Sequence, residues 1–220
     1  MNREELLKNA KPILFNTEMV QAILDGRKTV TRRIIKQGNI LPTGDWLGEI
    51  KEGGEWCTNP RKDVLWTGFR SKYGADTYYM CRYQVGDILY VRETWSIHEC
   101  VKCQAGIPAL GGECKCKYVY RASYGATDFR WKPSIHMPKE AARIFLKVTD
   151  VRVERLQDIT EEDAIAEGMS KTLVDGVVFI SAKGNFHVLW DSLNIKRGYG
   201  WEDNPWVWVI EFERVDVENE

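Results

Sequence analysis

The sequence has almost no net charge. Its 220 residues include 31 Lys plus Arg and 32 Asp plus Glu, which gives a formal charge of −1. A balanced chain has no overall positive field, and such a field is what drives non-specific binding to duplex nucleic acid. Any contact with nucleic acid is therefore expected to be local. No apolar run reaches about 18 residues, so no membrane-spanning helix and no membrane partner are expected.

Neither a secretory leader nor a histidine-based site is expected. The first residues, MNREELLKNAKPILF, lack the long apolar core of a signal peptide, so we expect a cytoplasmic protein. The three histidines, His98, His136 and His187, have neither the spacing of a Ser-His-Asp triad nor that of a metal site.

Many short strands and few helices are predicted from the pattern of apolar residues. Hydrophobic residues make up 44% of the chain, enough for a sizeable core. Residues 37–80 are rich in Gly, Trp and charge without a sustained period, and we interpret them as an insertion. The predicted strands are 12–15, 28–35, 88–95, 117–123, 143–156 and 205–215, and the predicted helices lie within 17–24, 158–168 and 185–194. An α+β fold with a small barrel flanked by short helices fits this order.

The ends of two predicted helices carry specific capping residues. Asn16 is suited to cap the first helix, and Gly26 is placed to end it. Thr160 with Asp163 forms a capping-box pattern for the second helix, and Gly168 is placed to end that one.

Four of the six cysteines lie close together in CVKCQAGIPALGGECKC: Cys100, Cys103, Cys114 and Cys116. In a reducing compartment a dense set of this kind is more often metal-binding than disulfide-bonded. The first pair has the spacing of a zinc knuckle, and four thiolates would form a closed, structural tetrahedral zinc site. Free or redox-labile thiols and a catalytic role are the alternatives, and His98 is a possible substitute ligand.

The stretch ILDGRKTVTRR, residues 23–33, concentrates basic side chains and threonines behind a glycine. A solvated turn is one interpretation, and a site for an anionic, nucleotide-like ligand is the other. Lys28 and Thr31 cannot share a face of a regular strand because their separation is odd. They converge only if Lys28 belongs to the turn after Gly26, or if a bulge intervenes.

Two further segments supply candidate site residues. Glu161 and Glu162, at the start of their helix, favour the helix dipole and are expected to be structural, whereas Glu167 lies in the last turn, where a carboxylate is unfavourable. Such a violation of a local rule is a hint of function. In RETW, residues 92–95, Arg92 and Glu93 could pair across a sheet or face a cleft. Trp95 could stack on a base or simply pack at the strand end.

Five segments together resemble the ASCH domain family, in particular its phage and prophage-type members: KPILFNTEMVQAILDGRKTVTRRI, GDILYVRETW, PSIHMP, ITEEDAIAEG and WVWVIEFERV. The resemblance covers most of residues 11–215 as a single domain, with insertions at 37–80 and 96–117. It implies a PUA-like β-barrel beside a cleft, and binding of RNA or modified nucleosides.

The same resemblance implies a chemistry. A bacterial branch of the family removes the acetyl group of acetylcytidine with a lysine, a threonine and a glutamate, which match Lys28, Thr31 and Glu167. Lys28 would accept a proton from Thr31, which attacks the acetyl carbonyl or orients a water, and Glu167 would protonate the leaving amine. Substrate-binding candidates are Arg27, Arg32, Arg33, Arg92, Glu93 and Trp95. The alternatives are a non-catalytic RNA or nucleotide-binding module of phage origin, or a ribonuclease.

The cysteine pattern yields a direct test. Metal analysis of protein purified without chelator should find about one zinc per chain, since four thiolates complete a tetrahedral site. Well-folded protein without bound metal would contradict this.

Overall fold

The structure is a computed structural model that describes residues 2–35, 57–59, 66–70, 76–97, 118–125, 129–175 and 177–217. Its helices are α1 (Arg3–Asn9), α2 (Thr17–Leu24), α3 (Arg121–Tyr124), α4 (Glu161–Ala166) and α5 (Ala182–Asn194). Its strands are β1 (Lys11–Leu14), β2 (Val30–Ile34), β3 (Cys57–Asn59), β4 (Trp66–Arg70), β5 (Asp76–Met80), β6 (Ile88–Arg92), β7 (Trp95–Ile97), β8 (Tyr118–Tyr120), β9 (Phe145–Arg155), β10 (Thr172–Val174), β11 (Val177–Ile180) and β12 (Trp206–Val215).

The fold is α+β, with short helices and a mixed five-stranded sheet of strand order β1-β6-β9-β12-β2. Smaller antiparallel sheets are formed by β3-β4-β5, by β7-β8 and by β10-β11. The chain divides into two compact units, both discontinuous in sequence. The first comprises Met1–Gly26, Ile88–Leu146 and Arg214–Glu220, and the second comprises Arg27–Asp87 and Lys147–Glu213.

The first unit contains the parallel pair of the main sheet. β1 runs parallel to β6, with Lys11 opposite Leu89 and Leu14 opposite Arg92. Two 3-10 turns, Ser134–His136 and Lys139–Ala141, begin directly after Pro133 and Pro138. The buried core of this unit comprises Leu6, Ala10, Tyr90, Trp95, Met137, Ala141, Ala142 and Phe145.

The second unit contains the antiparallel pair. β12 pairs with β2, with Val207 opposite Ile34 and Glu211 opposite Val30. Helix α5 begins after Ser181, whose hydroxyl accepts a hydrogen bond from the Gly184 N–H. The buried core of this unit comprises Val30, Leu156, Ile159, Ala164, Ala182, Phe186, Trp190, Val207 and Val209.

The predicted helix ends are confirmed. Asn16 accepts from the Met19 N–H at the start of α2, and Gly26 has the left-handed φ of 74° that favours glycine. At α4 both halves of the Thr160–Asp163 capping box are formed, and Gly168 follows with φ 93°. These signals depend on local backbone geometry alone, which is why the sequence predicts them well.

Two strand predictions were wrong in their extent. The strand predicted over 88–95 is interrupted at Glu93 and Thr94 and continues as β7. The strand predicted over 117–123 ends at Tyr120, because the Gly125 N–H bonds to the Arg121 carbonyl and closes the helical turn α3. Helix α1 and the β10-β11 hairpin are additional elements that the periodicity did not predict.

The barrel is not closed by the strands in the described ranges, which form open sheets. The PUA-like assignment and the single-domain boundaries therefore stay predictions. None of the described helices has both the length and the apolar character needed to cross a membrane.

Leu156 provides a test of the core of the second unit. The side chain is fully buried, whereas Leu173 on β10 is 58% exposed. Leu156→Ala should lower the free energy of unfolding by about 2–5 kcal/mol through lost burial and a residual cavity. The matched Leu173→Ala variant should change it by less than about 0.5 kcal/mol. Equal losses in urea denaturation would contradict this packing.

Candidate functional site

Lys28 lies in the segment between α2 and β2, outside the strand. β2 begins at Val30, so Lys28 belongs to the segment after the Gly26 turn, which is the first of the two conditions under which Lys28 and Thr31 could converge. Lys28 forms an isolated antiparallel bridge with Glu167, the residue that follows α4. A backbone hydrogen bond from Thr29 N–H to the Ala166 carbonyl, at 2.8 Å, holds the two segments together.

The centre of the site is a buried ion pair. Lys28 Nζ lies 2.6 Å from Glu167 Oε2, and the two side chains are 0% and 3% exposed. The same ammonium donates to the backbone carbonyls of Glu167, at 2.8 Å, and of Val30, at 2.7 Å. Two of these three hydrogen bonds join residues that are 139 positions apart in the chain.

Burial lowers the pKa of the Lys28 amine below its ordinary value of 10.5. The Glu167 carboxylate acts in the opposite direction, both by its charge and by its hydrogen bond, while the charges of Arg33 and Arg32 lower the pKa further. The desolvation of the amine is the largest of these effects, so the amine loses its proton more readily than a surface lysine does.

Arg32 extends the pair into a cluster of charges. Its guanidinium is fully buried, and Nη2 donates to Glu154 on β9 at 3.1 Å and to Asp163 on α4 at 3.0 Å. Nη1 lies 3.5 Å from Glu167 Oε1, close enough for an ion pair, although the contact does not meet hydrogen-bond geometry. Arg32 was predicted to bind substrate, but its polar atoms face carboxylates inside the second unit.

The other candidates near Lys28 occupy different environments. Thr31 is 3% exposed and lies opposite Ile210 in the register with β12. Arg27 is exposed, and its guanidinium donates to the Gly168 carbonyl at 3.1 Å. Burial lowers the pKa of the Arg33 guanidinium, and the nearby Tyr83 and Glu167 oppose that change. The structure thus brings Lys28 and Glu167 into direct contact and places Thr31 in the buried first half of β2.

Glu93 belongs to a separate cluster in the first unit. Glu93 is 1% exposed, and its carboxylate binds Arg143 through both oxygens, at 2.8 and 2.9 Å. Burial raises the pKa of Glu93, and Arg143 opposes that change. The Arg143 guanidinium also lies 4.1 Å from the centre of the Tyr120 ring. The partner of Glu93 is therefore Arg143, which the sequence reasoning did not identify.

Arg92 and Trp95 are also accounted for by contacts in the first unit. Arg92 donates to the Ile135 carbonyl. The Trp95 ring is 5% exposed, with the Tyr118 ring 5.7 Å away and Lys132 Nζ 4.8 Å from its centroid. A ring so covered has no open face for a base, so packing at the strand end is the interpretation that these contacts favour.

The proposed zinc ligands Cys100, Cys103, Cys114 and Cys116, and the substitute His98, lie outside the described residues. Within the described residues, no group of three or more His, Cys, Asp or Glu side chains could hold a metal ion.

Two members of the Arg32 cluster were missed as site residues, namely Glu154 and Asp163. One signal pointed to them. Arg32 lies on the same face of β2 as Val30 and Ile34, and both of these pack in the core of the second unit. An arginine at a core-facing position requires acidic partners within reach of its guanidinium.

Comparison of the chain with protein-family models, with curated proteins and with solved structures gives no match.

The lowered pKa of Lys28 makes stability depend on pH. Between its folded pKa and 10.5 the unfolded chain binds more protons, so the destabilising contribution of the buried charge diminishes as pH rises. Relative to the Lys28→Met/Glu167→Gln double variant, wild type should gain free energy of unfolding from about pH 7 to about pH 10. Urea denaturation at both pH values measures this, and a relative loss would contradict it.

Proposed function

We propose that this chain is an ASCH-type protein with a PUA-like fold that hydrolyses the acetyl amide of acetylcytidine-like nucleosides. The observation that supports this most directly is the buried contact between Lys28 and Glu167. The resemblance to the family implies that these two residues, 139 positions apart, act in one reaction, and their side chains are in direct contact.

The pair has the properties that a base and an acid need. In a low-dielectric site an ion pair can exchange one proton and exist as a neutral amine and a neutral carboxylic acid. The 2.6 Å separation of Lys28 Nζ and Glu167 Oε2 allows that exchange directly. The resulting state holds a base and a proton donor side by side.

The proposed reaction balances without a further reactant other than water. The Lys28 amine takes the proton of the Thr31 hydroxyl, and Thr31 Oγ bonds to the acetyl carbon. The bond from that carbon to the exocyclic nitrogen breaks, and the amine leaves with the proton of the Glu167 carboxyl group. Water then cleaves the acetyl-threonine ester to acetic acid, while Lys28 returns its proton to Glu167. Alternatively, a water oriented by Thr31 makes the attack itself.

Non-catalytic binding of RNA or a nucleotide is the second candidate, and one observation favours it. A lysine ammonium has three N–H donors, and Lys28 makes three hydrogen bonds within the protein. A fully engaged, charged lysine stabilises a structure, whereas a base must first lose a proton.

The remaining proposals concern the rest of the chain. We propose that Cys100, Cys103, Cys114 and Cys116 hold a structural zinc ion, that the protein is cytoplasmic, and that its partner is RNA or a modified nucleoside. The support that the fold gives them is its class, a small α+β structure, which is the class expected for an ASCH-type protein.

The decisive experiment follows release of cytidine from N4-acetylcytidine by purified protein. Lys28→Ala and Glu167→Gln should each lower kcat/KM by about 10²–10⁴-fold, since each removes a proton-transfer group. The matched controls are Lys147→Ala and Glu213→Gln, which disrupt an ion pair of 3.5 Å in the same unit whose side chains are 50% and 59% exposed. These should retain wild-type kcat/KM.

Absence of turnover by folded wild-type protein, across a panel of acylated nucleosides, would overturn the hydrolase proposal. Salt-dependent binding of single-stranded RNA by the same preparation would then favour the binding module.

A further inference from the structure

Arg32 contacts three carboxylates that arise from different parts of the second unit. Glu154 lies on β9, Asp163 lies in the first turn of α4, and Glu167 directly follows that helix. With its side chain 0% exposed, the guanidinium offers no surface to a ligand in this structure. Arg32 therefore connects β9, α4 and the residue after α4 inside the second unit.

Asp163 links Arg32 to the first turn of α4. Its Oδ2 accepts from Arg32 Nη2 and from the backbone N–H of Thr160, which is the reciprocal half of the capping box. At the other end of the same helix, the Glu167 N–H donates to the Asp163 carbonyl at 2.8 Å. Arg32 therefore contacts Asp163 in the first turn of α4 and faces Glu167, the residue that follows the helix.

The Glu167 carboxylate lies between two cations. Oε2 accepts from Lys28 Nζ, while Oε1 is buried, faces Arg32 Nη1 at 3.5 Å and has no hydrogen-bond partner among the described residues. Arg32 Nη1 and Nε are likewise buried without a hydrogen bond in the described part of the chain. The Glu167 carboxylate is thus hydrogen-bonded to Lys28 through one oxygen and faces the charge of Arg32 with the other.

We propose that Arg32 is a positioning residue that orients the Glu167 carboxylate towards Lys28 and sets the charge balance around the lysine amine. This deepens the proposed function, on which it rests for its consequence for turnover. The effect on the lysine itself is a property of the folded chain and does not require any substrate.

The charges of the cluster determine the sign of that effect. Beside Lys28, the cluster contains the carboxylates of Glu167, Asp163 and Glu154, the guanidiniums of Arg32 and Arg33, and the phenol of Tyr83 next to Arg33. Without Arg32, one cation fewer faces three carboxylates. The protonated amine of Lys28 is then favoured, so it should deprotonate at higher pH.

The experiment follows the ¹³Cε chemical shift of Lys28 against pH in isotopically labelled, full-length protein. Arg32→Gln should raise the titration midpoint by about one pH unit. The matched control is Arg152→Gln, which also removes an arginine bound to Glu154, at 2.6 Å, but one for which no contact with Lys28 or Glu167 is described. The control should leave the midpoint within about 0.3 units of wild type. Equal shifts in both variants, or none in Arg32→Gln, would overturn the proposal.

If Arg32→Gln does not fold, a second variant tests how the charges around Arg32 act on Lys28. Asp163→Asn keeps an acceptor for the Thr160 N–H but removes a negative charge from Arg32, so it should lower the Lys28 midpoint. An unchanged or raised midpoint in Asp163→Asn would overturn the proposal.

Turnover provides the third readout and separates the two proposals. Arg32→Lys keeps the charge but lacks the planar fork, so we expect a Lys28 midpoint near that of wild type and a lower kcat with little change in KM. An unchanged kcat in Arg32→Lys would contradict the orienting role. Inactive wild-type protein would refute the hydrolase alone, because the midpoints of the variants still decide the role of Arg32.

Discussion

The ion pair between Lys28 and Glu167 is the constraint around which the second unit is arranged. Taking both charges out of water is costly, and removing one partner of such a pair typically costs about 3–5 kcal/mol because the other charge is left buried. The surrounding structure reduces that cost by supplying further hydrogen bonds. Two backbone carbonyls accept from the ammonium, the bond from Thr29 to Ala166 fixes the approach of the two segments, and Arg32 faces the second carboxylate oxygen.

The sequence predicts those parts of the site that depend on local geometry. The odd separation of Lys28 and Thr31 means that they could converge only if the lysine lies in the turn after Gly26 or if a bulge intervenes, and the structure places the lysine before the strand. A carboxylate at the end of a helix violates the dipole rule, and among the described residues Glu167 and Glu93 are the carboxylates that are buried. The expected structural role of Glu161 also holds, since its carboxylate accepts from the N–H groups of Ala182 and Lys183 at the start of α5.

Contacts between distant segments could not be predicted from local sequence patterns. The bidentate contact of Arg143 with Glu93 joins residues 50 positions apart, and neither the spacing nor the composition of RETW indicates it. The basic stretch presents the same difficulty, because composition does not distinguish an arginine that faces solvent from one that faces the core. Arg27 is exposed and Arg32 is buried, although both were expected to bind an anionic ligand. What distinguishes the buried Arg32 from the exposed Arg27 in the sequence is that Arg32 lies on the same strand face as the apolar Val30 and Ile34.

The separation of Lys28 and Glu167 along the chain bears on the order in which the molecule folds. Closing a loop of 139 residues costs conformational entropy that only the completed contact can offset. The helical turns with their local caps can form without that closure, whereas the bridge requires both segments to be in place. The chemical pair is thus assembled only after β2 and the end of α4 have met. A nascent chain that has emerged only as far as β9 already contains the lysine but cannot yet contain the site.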